Sequence, residues 1–161
     1  MLYFFNDKPN GSQTYSVEAT ENLFSINSRK LLFFDQDIDF LKFSNDSLKI
    51  VRLNKTLNYL SKKLRSKGVT LIVLPCPDKY DMYYSYIQNQ NKYPRPLFFR
   101  YYNKLPKSYV YINSKEILSS MLYETKDIYY WDDTHWSPIA AQRIAREISK
   151  AMKQHELDNL N

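Results

Sequence analysis

Gly68-Val69-Thr70-Leu71-Ile72-Val73-Leu74-Pro75 is the stretch on which the fold class turns. Five of the six residues between the glycine and the proline are apolar, and four are β-branched. A strand of this kind offers no face to water, which is the mark of a sheet covered on both sides. Pro75 and Pro77 close it, because proline has no N–H for a ladder. Residues 45–67, just before it, carry Ile50, Leu53, Leu57, Leu60 and Leu64 at steps of three and four. That spacing predicts a long amphipathic helix with this stripe in the core. Lys62, Lys63, Arg65 and Lys67 fall in its last turns, where cations suit the helix dipole. Gly68 then stands where a helix stop needs a residue of positive φ. A helix followed at once by a nearly all-apolar strand predicts an α/β fold with a mostly parallel sheet between helical layers.

The flanking segments extend the alternation. Leu31-Leu32-Phe33-Phe34, ending at Asp35, predicts a buried strand. The tyrosine-rich residues 79–87 predict a helix, the polar residues 88–96 with two prolines a loop, and residues 97–105 a short helix. Tyr109-Val110-Tyr111-Ile112 predicts a strand, and Asn113 with Glu116 three places on is a helix-start signal for a helix to about residue 122. Ile128-Tyr129-Tyr130-Trp131 predicts a further strand. Ser137-Pro138 supplies an N-cap and an N1 proline for the last helix, whose apolar face reads as Ala141, Ile144, Ala145, Ile148 and Met152. No repeat, linker or second domain is visible, so residues 1–161 read as one domain. A domain near this size hides roughly 70% of its unfolded surface, enough for a real core.

Composition removes whole classes of chemistry. Glycine occurs twice, as Gly11 and Gly68. No Walker loop, dinucleotide-binding turn or G-x-S-x-G nucleophile elbow can be written with these two. One cysteine, Cys76, and two histidines, His135 and His155, rule out an internal disulfide and the cysteine-rich zinc modules. We therefore expect neither a metal nor a cofactor. The net charge of +6 favours anionic partners, with simple solubility as the plainer reading. Nothing approaches a membrane-spanning apolar run. The first seven residues, Met1 to Asp7, lack the basic-then-apolar order of a signal peptide.

The chemistry is expected in Trp131-Asp132-Asp133-Thr134-His135-Trp136-Ser137-Pro138, at the C-terminal end of a strand, where open α/β sheets place their sites. A carboxylate two residues from a histidine can hold the imidazole through Nδ1 and stabilise its protonated form, the base half of a Ser-His-Asp triad. The plain alternative is a turn-capping aspartate beside a loop histidine. Fifteen tyrosines, several in pairs, offer rings that stack on sugars; paired tyrosines also commonly place one ring inside and one outside. Arg143, Arg146, Lys150 and Lys153 form a basic stripe on the last helix, suited to an anionic glycan, to phosphates, or only to water.

D-x-H-W-S-P followed by an alanine-rich amphipathic helix resembles the SGNH hydrolase-like domain of the alginate O-acetyltransferase family, the AlgX/AlgJ type. The strand ending in Leu74-Pro75, then Pro77-Asp78-Lys79 and Tyr83, is similar to that family's strand with a proline, a lysine and a tyrosine helix. The resemblance spans roughly residues 30–150. It implies a three-layer SGNH-hydrolase-like (flavodoxin-like) α/β domain in the periplasm or cell envelope. It implies acetyl transfer or de-esterification on polysaccharide hydroxyls, with a polysaccharide or other glycan as partner and a membrane-bound O-acyltransferase beside it. Nucleic acid has only charge in its favour. By resemblance Asp133 orients His135, His135 is the general base, and Trp136, Lys79 and Tyr83 lie on the substrate side. The family's serine lies in a G-D-S block downstream of D-x-H-W, and no such block occurs here. Ser12, Ser85 and Ser137 are poor substitutes: Ser12 sits in a turn, Ser85 among tyrosines, and Ser137 caps a helix. The glycine count predicts that no serine of this chain faces His135 Nε2, so that the chain alone does not hydrolyse acetyl esters. Three readings stay open: a domain incomplete on its C-terminal side, a non-catalytic relative that binds or presents a glycan, and an unusual nucleophile such as Ser12.

Overall fold

The computed structural model describes residues 11–158; the apolar N-terminal run of residues 2–5 lies outside them. Strands β1 (Thr14–Glu18) and β2 (Lys30–Phe34) form an antiparallel pair in which Tyr15 faces Phe33 and Val17 faces Leu31. All four side chains are buried, as period-two alternation on a covered face requires. Helices α1 (Asp35–Asp39) and α2 (Leu41–Ser44) follow directly, and then α3 (Ser47–Arg65). Asp46 caps α3 by accepting from Leu48 N and Lys49 N at 3.0 and 3.2 Å. Gly68 ends the following turn at φ +73°, the left-handed conformation that only glycine adopts without strain.

The buried face of α3 is turned by one residue from the stripe read in the sequence. Leu53 and Leu60 are 44% and 42% exposed, whereas Asn54 and Ser61 are buried. The polar pair lies inside because residues 106–109, far along the chain, bond to it. Asn54 Nδ2 donates to Pro106 O at 2.9 Å, Tyr109 Oη donates to Asn54 Oδ1 at 2.7 Å, and Ser61 Oγ donates to Ser108 O at 2.7 Å. A buried polar group is tolerated once it is bonded, and hydrophobic periodicity cannot register that.

Strand β3 is Ile72–Val73, and β4 is Val110–Tyr111. They pair in parallel, with Val110 N donating to Leu71 O and Ile112 N to Val73 O. Leu71 and Val73 pack on a small core of Ile50, Tyr102 and Tyr109 beneath α3 and α5 (Phe98–Tyr102). Leu74, next along, packs on the main core. The α/β class therefore holds, but the mostly parallel sheet does not: among the described residues there is one antiparallel pair and one short parallel pair. Two causes are visible. Val69 is 48% exposed and Pro75 donates nothing, so only the middle of the apolar run joins a ladder. Residues 128–131, expected as a further strand, turn back instead. Tyr129 bridges antiparallel to Trp136, and Ser137 N donates to Ile128 O at 3.0 Å.

Helix α4 (Lys79–Tyr83) is capped by Asp78, which accepts from Asp81 N at 2.6 Å. Helix α6 (Ser114–Met121) starts at Asn113, whose side chain accepts from Glu116 N at 3.4 Å and donates to Glu116 Oε2 at 2.9 Å. Helix α7 (Pro138–Asp158) buries Ala140 and Ile144 and half-buries Ile148. Ala141, Ala145 and Met152, read as part of its apolar face, are exposed. The main core joins the β1–β2 pair, α4, α6, Ile128 and the first turns of α7. Tyrosine pairs divide between inside and outside: Tyr83, Tyr102 and Tyr129 are buried, and Tyr84, Tyr101 and Tyr130 are not. Asn54→Ala is expected to lower stability by about 2 kcal/mol, since two partners lose their bonds inside the protein. Leu53→Ala should change it by less than about 0.5 kcal/mol. Urea unfolding of both variants checks the order, and the reverse order would return Leu53 to the core.

Candidate active site

The loop between Tyr129 and Trp136 is a short hairpin whose legs are zipped by Tyr130 N donating to His135 O at 3.2 Å. At its tip the Asp133 carboxylate accepts twice. Oδ1 takes His135 N at 2.9 Å and lies 2.5 Å from His135 Nδ1. The first bond is an aspartate turn, so the backbone itself presents the histidine ring to the carboxylate. His135 is 81% and Asp133 51% exposed at the side chain. The bond to His135 holds the Asp133 carboxyl below the usual carboxylate range. With Nδ1 engaged, Nε2 is the free ring nitrogen, and no described residue bonds to it.

Three groups fix this loop from beneath. The Lys79 side chain is wholly buried, and its Nζ donates to Tyr130 O at 2.8 Å, Trp131 O at 2.6 Å and Asp133 O at 3.1 Å. Trp131 Nε1 donates to Lys30 O at 3.0 Å and ties the loop to β2. Trp136 Nε1 donates to Tyr129 Oη at 2.7 Å, and Tyr129 Oη donates to Pro77 O at 2.5 Å, next to the N-terminus of α4. Tyr83 is buried under the hairpin, with its hydroxyl accepting from Tyr129 N at 3.4 Å. The structure thus brings Asp133, His135, Trp136, Lys79 and Tyr83 together. It places Lys79 and Tyr83 inside the protein beneath the loop, whereas the resemblance puts them on the substrate side. Trp136 is half-buried.

Beside Asp133 lies a small cavity of about 180 Å³ between the loop and β2, lined by Thr14, Phe34, Asp132 and Thr134 among others. None of the serines weighed above bonds to His135. Ser12 Oγ accepts from Thr14 N at 3.0 Å and donates to Thr14 O, which starts β1. Ser137 Oγ is buried and accepts from Ala140 N at 3.5 Å. Ser85 lines a separate cavity with Arg95 and Arg100. Among the described residues no three His, Cys, Asp or Glu side chains gather as a metal site.

The electrostatics below the loop were not legible in the sequence. Burial lowers the Lys79 pKa to about 8, against the opposing pull of Asp132, Asp133 and Asp37. Burial raises Asp37 to about 6, opposed by Lys79, and raises Asp78 to about 7. Asp37 Oδ2 is buried with no hydrogen-bond partner. Lys79 was discoverable in one respect. It follows β3 on the side where parallel strands end, which is where the hairpin also lies.

The family model for the SGNH hydrolase-like domain of the acetyltransferase AlgX matches residues 30–161. No curated protein and no solved structure matches the chain. The chain belongs to this AlgX-type SGNH hydrolase-like family, whose members are acetyltransferase- and esterase-like α/β domains.

The carboxylates give a signed pH dependence. Asp37, Asp78 and Asp81 all have folded pKa values raised by burial. Between the ordinary carboxylate range and pH 7 the folded state therefore binds more protons than the unfolded one, and stability falls as pH rises through that window. Asp37→Asn should lose less stability between pH 5 and pH 8 than the parent, by on the order of 1 kcal/mol. Urea unfolding at the two pH values checks it; an unchanged slope would remove Asp37 from the account.

Proposed function

We propose that this chain serves acetyl transfer or ester cleavage on a cell-envelope glycan, with Asp133 and His135 as the base half of a serine acyl-transfer site. The 2.5 Å contact between Asp133 Oδ1 and His135 Nδ1 on an exposed loop carries this reading. A carboxylate at Nδ1 keeps the proton on that nitrogen and leaves the Nε2 lone pair free to take a hydroxyl proton. It also stabilises the imidazolium that results, and the imidazolium then returns the proton to the leaving alcohol. The serine that would be acylated is not among the described residues that bond to His135. The second reading is a non-catalytic relative that binds or presents a surface glycan, and the same observation favours it.

Cells carrying His135→Ala or Asp133→Asn in place of the parent chain separate the two. Loss of a general base lowers rates by roughly 10² to 10⁴-fold. Base-labile acetate on the envelope polysaccharide is therefore expected to fall at least about tenfold in both. Unchanged acetate would leave the binding reading alone. For the purified chain, release of nitrophenol from its acetate ester should match the His135→Ala control, with no serine labelled by a phosphonate probe. Turnover well above that control would identify a nucleophile within the chain, Ser12 first.

A further inference from the structure

We propose that Lys79 is the positioning residue of this site: its ammonium sets the backbone on which Asp133 meets His135. The inference rests on the proposed role of the Asp133–His135 pair for its meaning, but not for its test. An ammonium has three donors and no acceptor. All three point to backbone carbonyls of one loop, at Tyr130, Trp131 and Asp133. Nothing remains for a substrate or for a carboxylate, and the side chain is wholly buried. Lys79 therefore acts through the loop and touches no reacting group.

The third acceptor gives the tripod its consequence. Asp133 is gripped at both ends, its carbonyl by Lys79 from below and its carboxylate by His135 N and Nδ1 from above. Release of the carbonyl frees the peptide that aims the carboxylate, and a displacement near 1 Å in a catalytic group lowers a rate by about a hundredfold. Burial lowers the Lys79 pKa to about 8, and nearby carboxylates oppose that shift, so the cation is still mostly charged at pH 7. Asp37 of α1 and Asp132 and Asp133 of the loop favour the charge, and the Phe24 ring lies 5.3 Å from Nζ at the distance of a cation–π contact. Asp78, beside Lys79 in the chain, has its charge disfavoured by burial. A neutral amine has one N–H donor fewer, and the longest of the three bonds is the one to Asp133. Arginine does not substitute, because its planar fork cannot place three donors on one centre.

The test uses ring ¹⁵N spectra of the whole chain, which report His135 directly and require no activity. The parent is expected to show the ring ¹⁵N shifts of the tautomer protonated at Nδ1. Lys79→Met, close in shape but without donors, should retain the near-ultraviolet signature of the folded core while losing those shifts, and Lys79→Arg should not restore them. A folded Lys79→Met with the parent's His135 spectrum would overturn the proposal. Should Lys79→Met fail to fold, the parent itself decides. Raised from pH 7 to pH 9.5, the carbonyl carbons of Tyr130, Trp131 and Asp133 should shift together with the Lys79 ε-carbon, and the His135 ring ¹⁵N shifts should move away from those of the Nδ1-protonated tautomer in the same step. Independent titration of those signals would also overturn it. The expected ring ¹⁵N shifts with unchanged envelope acetate in His135→Ala cells would instead sink the catalytic reading while leaving the tripod standing.

Discussion

A buried ammonium bonded to three carbonyl oxygens underlies the 129–136 hairpin of this protein. Lys79 lies at the N-terminus of α4, and its acceptors come more than fifty residues later in the chain. A charge taken from water is strongly unfavourable unless its donors are all engaged. Engagement here requires that the 129–136 hairpin sit on α4, that β2 receive Trp131, and that Tyr129 reach Pro77. The loop is held by its aromatic legs as well, with Tyr129 in the main core and Trp131 and Trp136 packed against it, while the cation beneath engages its carbonyls.

That arrangement explains why an exposed dyad can be ordered. Exposed loops are ordinarily the mobile part of a domain. Here the exposed atoms are those of Asp133 and His135, while the peptides carrying them are fastened inward by Lys79, Trp131 and the Tyr129–Trp136 pair. Water therefore reaches the imidazole without loosening its carboxylate. Burial of Asp37, Asp78 and Asp81 is the accompanying penalty, and only Asp81 has a close cation, with Lys115 Nζ at 2.5 Å. These acids oppose the fold as pH rises, yet Asp37, together with Asp132 and Asp133, supplies the field that favours a charged Lys79.

Fold class was legible because it depends on local pattern. The long helix before Gly68, its glycine stop, and the parallel strand after it follow from apolar spacing and backbone preferences. The helical face was misread because Asn54 and Ser61 are inside for reasons that lie near residue 108, far away in sequence. The last strand was misread because Ile128 to Trp131 has the composition of a strand, but the chain returns at once to pair with itself. Lys79 was visible as part of a motif and not as a buried group, since nothing local to Pro77-Asp78-Lys79 indicates what will cover it.

By itself the sequence determined the alternation of helix and strand, the family, and the Asp133-x-His135 spacing, because an aspartate turn closes within three residues and needs no outside partner. Only the tertiary structure decided that Lys79 and Tyr83 lie beneath the loop, that the tyrosine pairs divide between core and surface, and that the sheet stays short. Each of these depends on which distant segment supplies hydrogen-bond acceptors or excludes water, and those contacts exist only once the chain has closed on itself.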